Sequence, residues 1–282
     1  MYFFTKNSLI IKLKGKRMKT KIGNFEKFIR ENTEGPKDSV LSRAMGILYE
    51  MSSATEALSS ISISEKLKLP KASVHRLMLQ LEVIGLLERE PGSKKFITSQ
   101  RLNELALQTL INSPQKSTRH AILEKLVADL NETCNITMLS GHNVIYVDRV
   151  ESQWPLRIHL QPGSKVPIYC GASGKLLLSY MPALKRKKIL RSIALVKFTE
   201  NTVIELEKIE KELKKTKIKD YGLDVEEFMH GLIGIAVPIF KNNKICGTVS
   251  IHIPTVRHSI QDALAYIPRM RIAANEISLT LS

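Results

Sequence analysis

Residues 69–87 read LPKASVHRLMLQLEVIGLL. A proline opens the run, a polar cluster of Lys71, Ser73, His75 and Arg76 follows, and apolar residues then take over. On a helix, side chains three and four apart lie above one another, so Val74, Leu77, Leu81 and Ile84 share one face. Pro70 suits the first helical position, where a missing N–H costs nothing. Gly85 can supply the left-handed residue that ends the helix. The back half is therefore an expected core stripe. The front turn differs: Lys71, Ser73, His75 and Arg76, with Ala72 among them, surround the N-terminal end away from that stripe.

The neighbours give the stretch its meaning. Upstream, Val40, Leu41, Ala44, Ile47, Leu48 and Met51 recur at helical spacing, with Asp38 or Ser39 as N-cap. In SISEKLKL, Ser62 precedes Glu65 by three residues, a capping-box pattern for a short helix whose inward pair is Ile63 and Leu67. Leu69-Pro70 makes a tight corner. Downstream, LLERE and KKFITS are strand-like runs joined by Pro91-Gly92-Ser93, a hairpin signal. Helix, short helix, corner, longer helix and hairpin, in that order over residues 38–99, spell a winged helix-turn-helix. The N-terminal end of its second helix enters the major groove of DNA. Lys and Arg suit phosphates or guanine edges and Ser suits either, while Lys94 and Lys95 of the hairpin are placed for phosphates. A polar helix start alone is usually solvated surface; the ordered combination is what points to duplex DNA.

Over the whole 282-residue chain, 43 Lys and Arg face 27 Asp and Glu, a net charge of +16. That balance suggests a polyanionic partner, against the alternative of a basic but inert surface. The winged segment hardly contributes, with eight basic and seven acidic residues over 38–99. Residues 1–37 hold ten basic and three acidic residues and read as a basic arm closed by Gly35-Pro36, with Met18 as an alternative start. Cys134, Cys170 and Cys246 are widely separated, without C-x-x-C or a nearby histidine at metal spacing, which argues against a disulfide scaffold or zinc and fits a reducing cytoplasm. No apolar run approaches the ~20 residues of a membrane span, and the N-terminus makes no convincing signal peptide.

Residues 100–117 read as a connector helix, with Leu102, Leu105, Ala106 and Leu110 on one face. After Asn112-Ser113-Pro114, Ile122, Leu126 and Leu130 give another. Within residues 118–282, NVIYVDRV, LRIHL, IGIAVPIF and ICGTVSIHI read as strands, the last two forming a hairpin. GASGKLLLSYM, KRKKIL, VIELEKIEKELKKTKI and residues 259–281 read as helices. Strands and helices interleave without a regular strand-helix-strand repeat, so the class is α+β. GASGK is not a P-loop: Tyr169 stands where the first glycine belongs, and Leu176 follows the lysine. Its small residues either leave backbone N–H groups open to an anion or let the helix pack close to a sheet. No nucleophile has a sequence-local base, and neither G-x-S-x-G nor H-E-x-x-H occurs. The expectation is no enzyme, no cofactor and no metal; the alternative is a small-molecule enzyme or binding module with a helical adaptor.

SEKLKLPKASVHRLMLQLEVIGLLERE closely resembles the recognition region of IclR-type transcriptional regulators. The resemblance continues through HNVIYVDRVES, LQPGSKVPIYCGASGKLLLSYM and YGLDVEEFMHGLIGIAVPIF, covering about residues 38–275. It implies a C-terminal domain similar in fold to GAF and PAS sensors that binds a small effector, often an organic acid. Matching positions are Ala172 and Ser173 at a helix start, Asp224, Gly234, Ser250 and His252 opposite, and Ile158 and Val166 as apolar wall. It further implies a homodimer or homotetramer on a palindromic operator, acting as a repressor whose DNA binding the effector modulates.

Overall fold

The structure, a computed structural model, describes residues 39–54, 56–155 and 164–281. The chain divides into two compact units, one ending at Thr98 and the other starting at Ser99.

The first unit holds α1 (Val40–Ser53), α2 (Ser60–Leu67), α3 (Lys71–Val83) and an antiparallel hairpin of β1 (Leu87–Arg89) and β2 (Phe96–Thr98). It is a winged helix-turn-helix. Ser39 caps α1 by accepting from the Ser42 N–H at 3.1 Å. The capping box of α2 lies one turn earlier than Ser62 and Glu65 suggest: Ser59 and Ser62 each accept the other's backbone N–H at 3.1 Å. A start at Ser60 gives α2 two full turns and buries Ile63 and Leu67 together. Pro70 stands just outside α3 with an extended ψ of 130°, and Lys71 is the first helical residue. The core joins Ile47, Met51, Ile63, Leu67, Val74, Leu77, Met78, Leu81, Leu87 and Phe96.

Ile84 does not belong to that core. It caps the C-terminus of α3 at 52% exposure, and Met78 fills the stripe instead. The reason is the helix stop: Gly85 takes φ +77° and turns the chain away before another turn can bring Ile84 inward. Val40 and Leu41 are likewise exposed, because the first turn of α1 extends beyond the core. The hairpin is anchored by a contact that has no local sequence signal. Leu58 exchanges backbone hydrogen bonds with Phe96 at 2.9 and 2.8 Å, tying the wing to the chain ahead of α2.

The second unit is built on a six-stranded antiparallel sheet. Its strands are β3 (Thr133–Ser140), β4 (Asn143–Val150), β5 (Lys165–Pro167), β6 (Gly222–Val225), β7 (Leu232–Lys241) and β8 (Lys244–Pro254). They lie in the order β5-β4-β3-β8-β7-β6. The β7–β8 turn uses Asn242 and Asn243 at φ +52° and +61°, the backbone a tight hairpin requires. One sheet face is apolar: Ile233, Ile235, Val237 and Ile239 of β7 and Val249, Ile251 and Ile253 of β8 share a core with α5 (Lys116–Leu130) and α10 (Ile267–Thr280). The expected C-terminal helix is two, α10 being preceded by the short α9 (Ile260–Leu264).

The connector α4 (Gln100–Ile111) puts Leu107, Leu110 and Ile111 against this core, while Leu105 and Ala106 stay exposed. Of the expected stripe Leu102, Leu105, Ala106 and Leu110, Leu110 therefore packs on the core and Leu102 is half-buried, while Leu107 and Ile111 complete the packing side. Buried Arg119 bridges the Asn112-Ser113-Pro114 interruption by donating to the Leu110 carbonyl at 2.7 Å and to Ser113 Oγ at 3.1 Å. The other sheet face carries α6 (Ala172–Tyr180), with α8 (Leu206–Lys219) packed on α6 and α7 (Ala183–Ser192) tied to α8 by the Arg186–Glu210 pair. LRIHL and Ile158 lie outside the described residues. No helix among the described residues is long and apolar enough to cross a membrane.

Candidate functional site

At the start of α3 the side chains of Lys71, Ala72, His75 and Arg76 are exposed and Ser73 is half-buried. Lys94 and Lys95 stand exposed on the wing turn, where Gly92 takes φ +75°. Among the described residues none of these six polar side chains makes a hydrogen bond or ion pair. Neighbouring charges behave otherwise: Lys66 pairs with Glu50 at 3.5 Å, and Arg89 lies over the Phe96 ring and bonds Glu82 at 3.0 Å. The cations at the helix start and wing tip are thus not engaged in holding the unit together and are open to a partner.

The second cluster lies on the α6 side of the large sheet. Strand register arranges it in rows. Asp224, Gly234 and His252 lie side by side across β6, β7 and β8. The next row runs Gly222, Ala236, Ser250, Asn135 and Arg149, and a third runs Pro238, Thr248, Thr137 and Tyr146. Sheet periodicity, with a β-bulge in the β3–β4 pairing that keeps Tyr146 and Arg149 on one side, sends these residues to one face while their neighbours fill the apolar core opposite. A methyl placed at Gly234 would touch Asp224 Cβ at 3.3 Å, Ala172 Cβ at 3.5 Å and His252 Cδ2 at 3.6 Å. Four of the sequence-derived positions therefore converge on one point. Ser173 joins through Thr248, whose hydroxyl donates to Ser173 Oγ at 2.9 Å. Val166 flanks the α6 start, its Cγ1 lying 3.7 Å from where a Gly171 side chain would begin.

The small residues of GASGK serve close packing first. A Cβ at Gly174 would sit 2.1 Å from the Ile168 carbonyl oxygen, and one at Gly222 would sit 2.1 Å from that of Ala172. Only glycine lets α6 approach its neighbours this closely. That approach brings the start of α6, whose N-cap Gly171 supplies no side-chain cap, onto the polar sheet face.

Three residues of the cluster escape single-sequence reading: Asn135, Tyr146 and Arg149. Arg149 Nη1 donates to Asn135 Oδ1 at 2.8 Å, and Arg149 Nε donates to Glu151 at 3.3 Å. Arginine can only donate, so the oxygen of Asn135 must face it and the amide nitrogen must face His252 Nδ1, 3.1 Å away. His252 Nδ1 then accepts, and the ring proton sits on Nε2, which points toward Tyr146 OH at 3.5 Å. Burial, with Arg149 adding to it, pulls the His252 pKa down to about 4, so the ring is neutral. Burial also pushes the Tyr146 phenol up. The signal that reveals Arg149 is register: paired with Asn135, it is carried to the polar face of an otherwise apolar strand.

Asp224 does cap a turn, Oδ1 accepting from the Glu227 N–H at 2.8 Å. It also borders the cluster, and burial raises its pKa to about 6 against the lowering effect of that bond and of Lys175. Behind it, buried Lys175 donates to Glu212 at 2.7 Å and to Glu227. Burial pulls Lys175 down, but the two carboxylates outweigh it and hold the ammonium charged. Ser250 Oγ is buried with no hydrogen-bond partner among the described residues. An unpaired buried hydroxyl costs free energy, which sets Ser250 apart from the hydrogen-bonded residues around it. No set of three or more His, Cys, Asp or Glu among the described residues is placed to hold a metal.

Comparisons with known proteins agree with both halves. Residues 40–91 match the IclR helix-turn-helix domain, and residues 108–279 match the C-terminal domain of the bacterial transcriptional regulator IclR. The chain is 40% identical over 239 residues to the probable transcriptional regulator SauR of Cupriavidus necator, covering 84% of this chain and 95% of that protein. The crystal structure of Thermotoga maritima IclR aligns at 26% identity and a TM-score of 0.57, over 86% of this chain and 98% of that one. The inducer-binding domain of the PobR transcription factor from Acinetobacter, a double mutant in complex with 3-hydroxybenzoic acid, aligns at 25% identity and a TM-score of 0.54, over 57% of this chain and 96% of that one. With a winged DNA-binding unit, a sensor-like second unit and family matches over both, the chain belongs to the IclR family: it is a DNA-binding transcriptional regulator with an effector-binding domain, and not an enzyme.

Proposed function

We propose that this regulator is a cytoplasmic repressor that binds a palindromic operator as a homodimer or homotetramer and responds to a small organic acid. On the DNA side, Lys71, Ala72, Ser73, His75 and Arg76 face the major groove, and Lys94 and Lys95 contact phosphates from the wing. The exposure of all of these side chains but the half-buried Ser73, and their lack of internal partners among the described residues, supports that reading. A protomer carrying one recognition helix reads one half-site, so a two-fold assembly calls for a palindrome. Occupation of a promoter by such an assembly excludes polymerase without any further contact, which makes repression the simplest output.

On the effector side, the ligand lies against Val166, Ala172, Ser173, Asp224, Gly234, Ser250 and His252; Ile158 lies outside the described residues. The observation that carries this assignment is the partnerless Ser250 hydroxyl, in the same strand row as Asn135 and Arg149 and two residues from His252 on β8. The N–H groups at the start of α6, which have no side-chain cap, suit a carboxylate. The 3-hydroxybenzoic acid complex of the PobR domain is in keeping with that chemistry. Ligand binding would favour one arrangement of the assembly over another and so change operator affinity.

A thermal-shift screen against organic acids tests the effector half, because a ligand that binds the native state raises the melting temperature. Ser173→Leu is expected to abolish both that shift and the effector's influence on operator binding, while basal operator affinity is retained. A normal response in this variant would move the effector elsewhere.

A further inference from the structure

The winged unit supplies little of the chain's charge, and much of the rest is gathered on one outer surface of the second unit. Residues 183–219 hold twelve Lys and Arg against five Glu, a net of +7. On α8 the apolar stripe Ile209 and Leu213, with Thr216, is buried, and the exposed side is mostly lysine, with Glu207 and Ile218 among it. Lys208, Lys211, Lys215 and Lys219, with Glu212, line one groove of about 430 Å³, and Lys187, Arg191, Lys211 and Lys214, with Glu207 and Glu210, line a second of about 560 Å³ between α7 and α8. Lys211 belongs to both.

Internal pairing accounts for only part of this charge. Arg186 is held by Glu210 and Lys208 by Glu205. Lys187, Lys211, Lys214 and Lys215 are exposed and form no salt bridge among the described residues. Here Lys211 and Lys215, and Lys215 and Lys219, stand four apart on one helix, where like charges destabilise it. The stripe from Lys208 to Lys219 is ~16 Å long at the helical rise. That is about the rise of five base pairs along one strand.

We propose that the outer face of α7 and α8 is a second, sequence-independent binding surface for the phosphates of duplex DNA. Lysine is a compact point charge on a flexible stem, suited to phosphates rather than to base edges. The occupant follows from charge complementarity and the family function: lysines without internal partners match a polyanion, and duplex DNA is the polyanion that a DNA-binding regulator meets. An acidic protein surface would match the charge, but no such partner is brought to the molecule by its own binding activity. The inference concerns a face that the operator-reading and effector-binding assignments leave unused.

The test is titration of the full chain with a fluorescent duplex of unrelated sequence across a salt series. Each phosphate contact contributes ~0.9 to the slope of log affinity against log salt. The variant Lys187→Gln/Lys211→Gln/Lys214→Gln/Lys215→Gln is expected to flatten that slope by one contact or more, up to ~3–4 for all four. The matching Lys→Arg quadruple is expected to restore it. A control that removes equal charge elsewhere on the unit, Lys116→Gln/Lys125→Gln/Lys165→Gln/Lys244→Gln, is expected to flatten it less. A change smaller than one contact, or an equal change in the control, overturns the proposal; the first result is also the one an acidic-protein surface would give. Discrimination between operator and unrelated DNA reports on α3 separately, so failure of one assignment does not mimic failure of the other.

Discussion

The two units handle polar side chains in opposite ways. In the winged unit the core is apolar, and the cations proposed to contact DNA stand outside it with no internal partner. In the second unit the polar residues are inside: Asn135 and Thr248 are fully buried and bond across strands to the Ser250 carbonyl and the Thr137 hydroxyl, and the buried Ser250 hydroxyl alone among these has no partner among the described residues. The difference follows from the ligands proposed. A duplex is a large polyanion met at the surface, so its contacts can be solvated charges that cost the fold little. A small acid must be desolvated, so its partners have to be buried, and buried polar groups must be held by one another.

The sharpest contrast should appear at the glycines that let α6 reach the polar face. Gly174→Ala would push a methyl into the Ile168 carbonyl and is expected to cost more than ~3 kcal/mol in thermal or urea unfolding, with loss of any effector response. Gly171→Ala meets nothing closer than 3.7 Å. Its cost should stay near the ~0.5 kcal/mol of a neutral surface change. Equal effects would mean that close packing is not what places this helix.

Asp224 offers a pH test of burial. Its folded pKa of about 6 lies above the ordinary carboxylate value of 3.8. The native state therefore keeps a proton that the unfolded chain releases between those values. The associated stability is present below pH ~4 and is lost as pH rises through ~6, an effect of up to about 3 kcal/mol at 1.36 kcal/mol per unit. Asp224→Asn should flatten this part of the stability–pH curve. An unchanged slope would show that Asp224 is not desolvated. The same ionisation should weaken binding of an anionic effector above pH ~6.

On the surface of the winged unit the expectation reverses. Arg76→Ala or Lys71→Ala should leave the melting temperature unchanged and weaken operator binding by ~1–3 kcal/mol in a gel-shift titration. Unchanged affinity in both variants would remove α3 from the interface. The smallest stability effect is expected at Ser250→Ala, because its hydroxyl has no partner to lose. Unfolding should be unaffected or slightly harder, while effector affinity falls by about 1 kcal/mol, the net value of a hydrogen bond. A destabilised variant with normal effector binding would assign that hydroxyl to the fold instead.

Legibility in the sequence follows the same division. The winged unit is local: each helix has its own period, and Gly85 and Pro91-Gly92-Ser93 mark stops within a few residues of the contacts they define. The errors there are errors of ends. Ile84, Pro70 and the Ser62–Glu65 pair were each displaced by a turn or less, because helix ends depend on which start or stop buries more apolar surface. The sheet unit is non-local, and its omissions are larger. Strands β3, β5 and β6 have no clear signature. In β3 the central position in the sheet is occupied by a strand carrying Asn135 and Thr137, because one of its faces is a polar site rather than core. A polar strand reads as surface until its neighbours are known.

The sequence by itself determined the architecture of the DNA-binding unit, the α+β class of the rest, and, through its resemblance to a family, named Ala172, Ser173, Asp224, Gly234 and His252, which the fold brings together. These rest on periodicity, turn chemistry and motif order, all written within short windows. Only the tertiary structure decided that Asp224, Gly234 and His252 stand in one row, that Arg149 fixes Asn135 and through it the tautomer of His252, and that Gly174 and Gly222 exist to let α6 close on the sheet. Those facts depend on strand register and on contacts between residues as far as 117 positions apart, and no local rule of side-chain chemistry carries them.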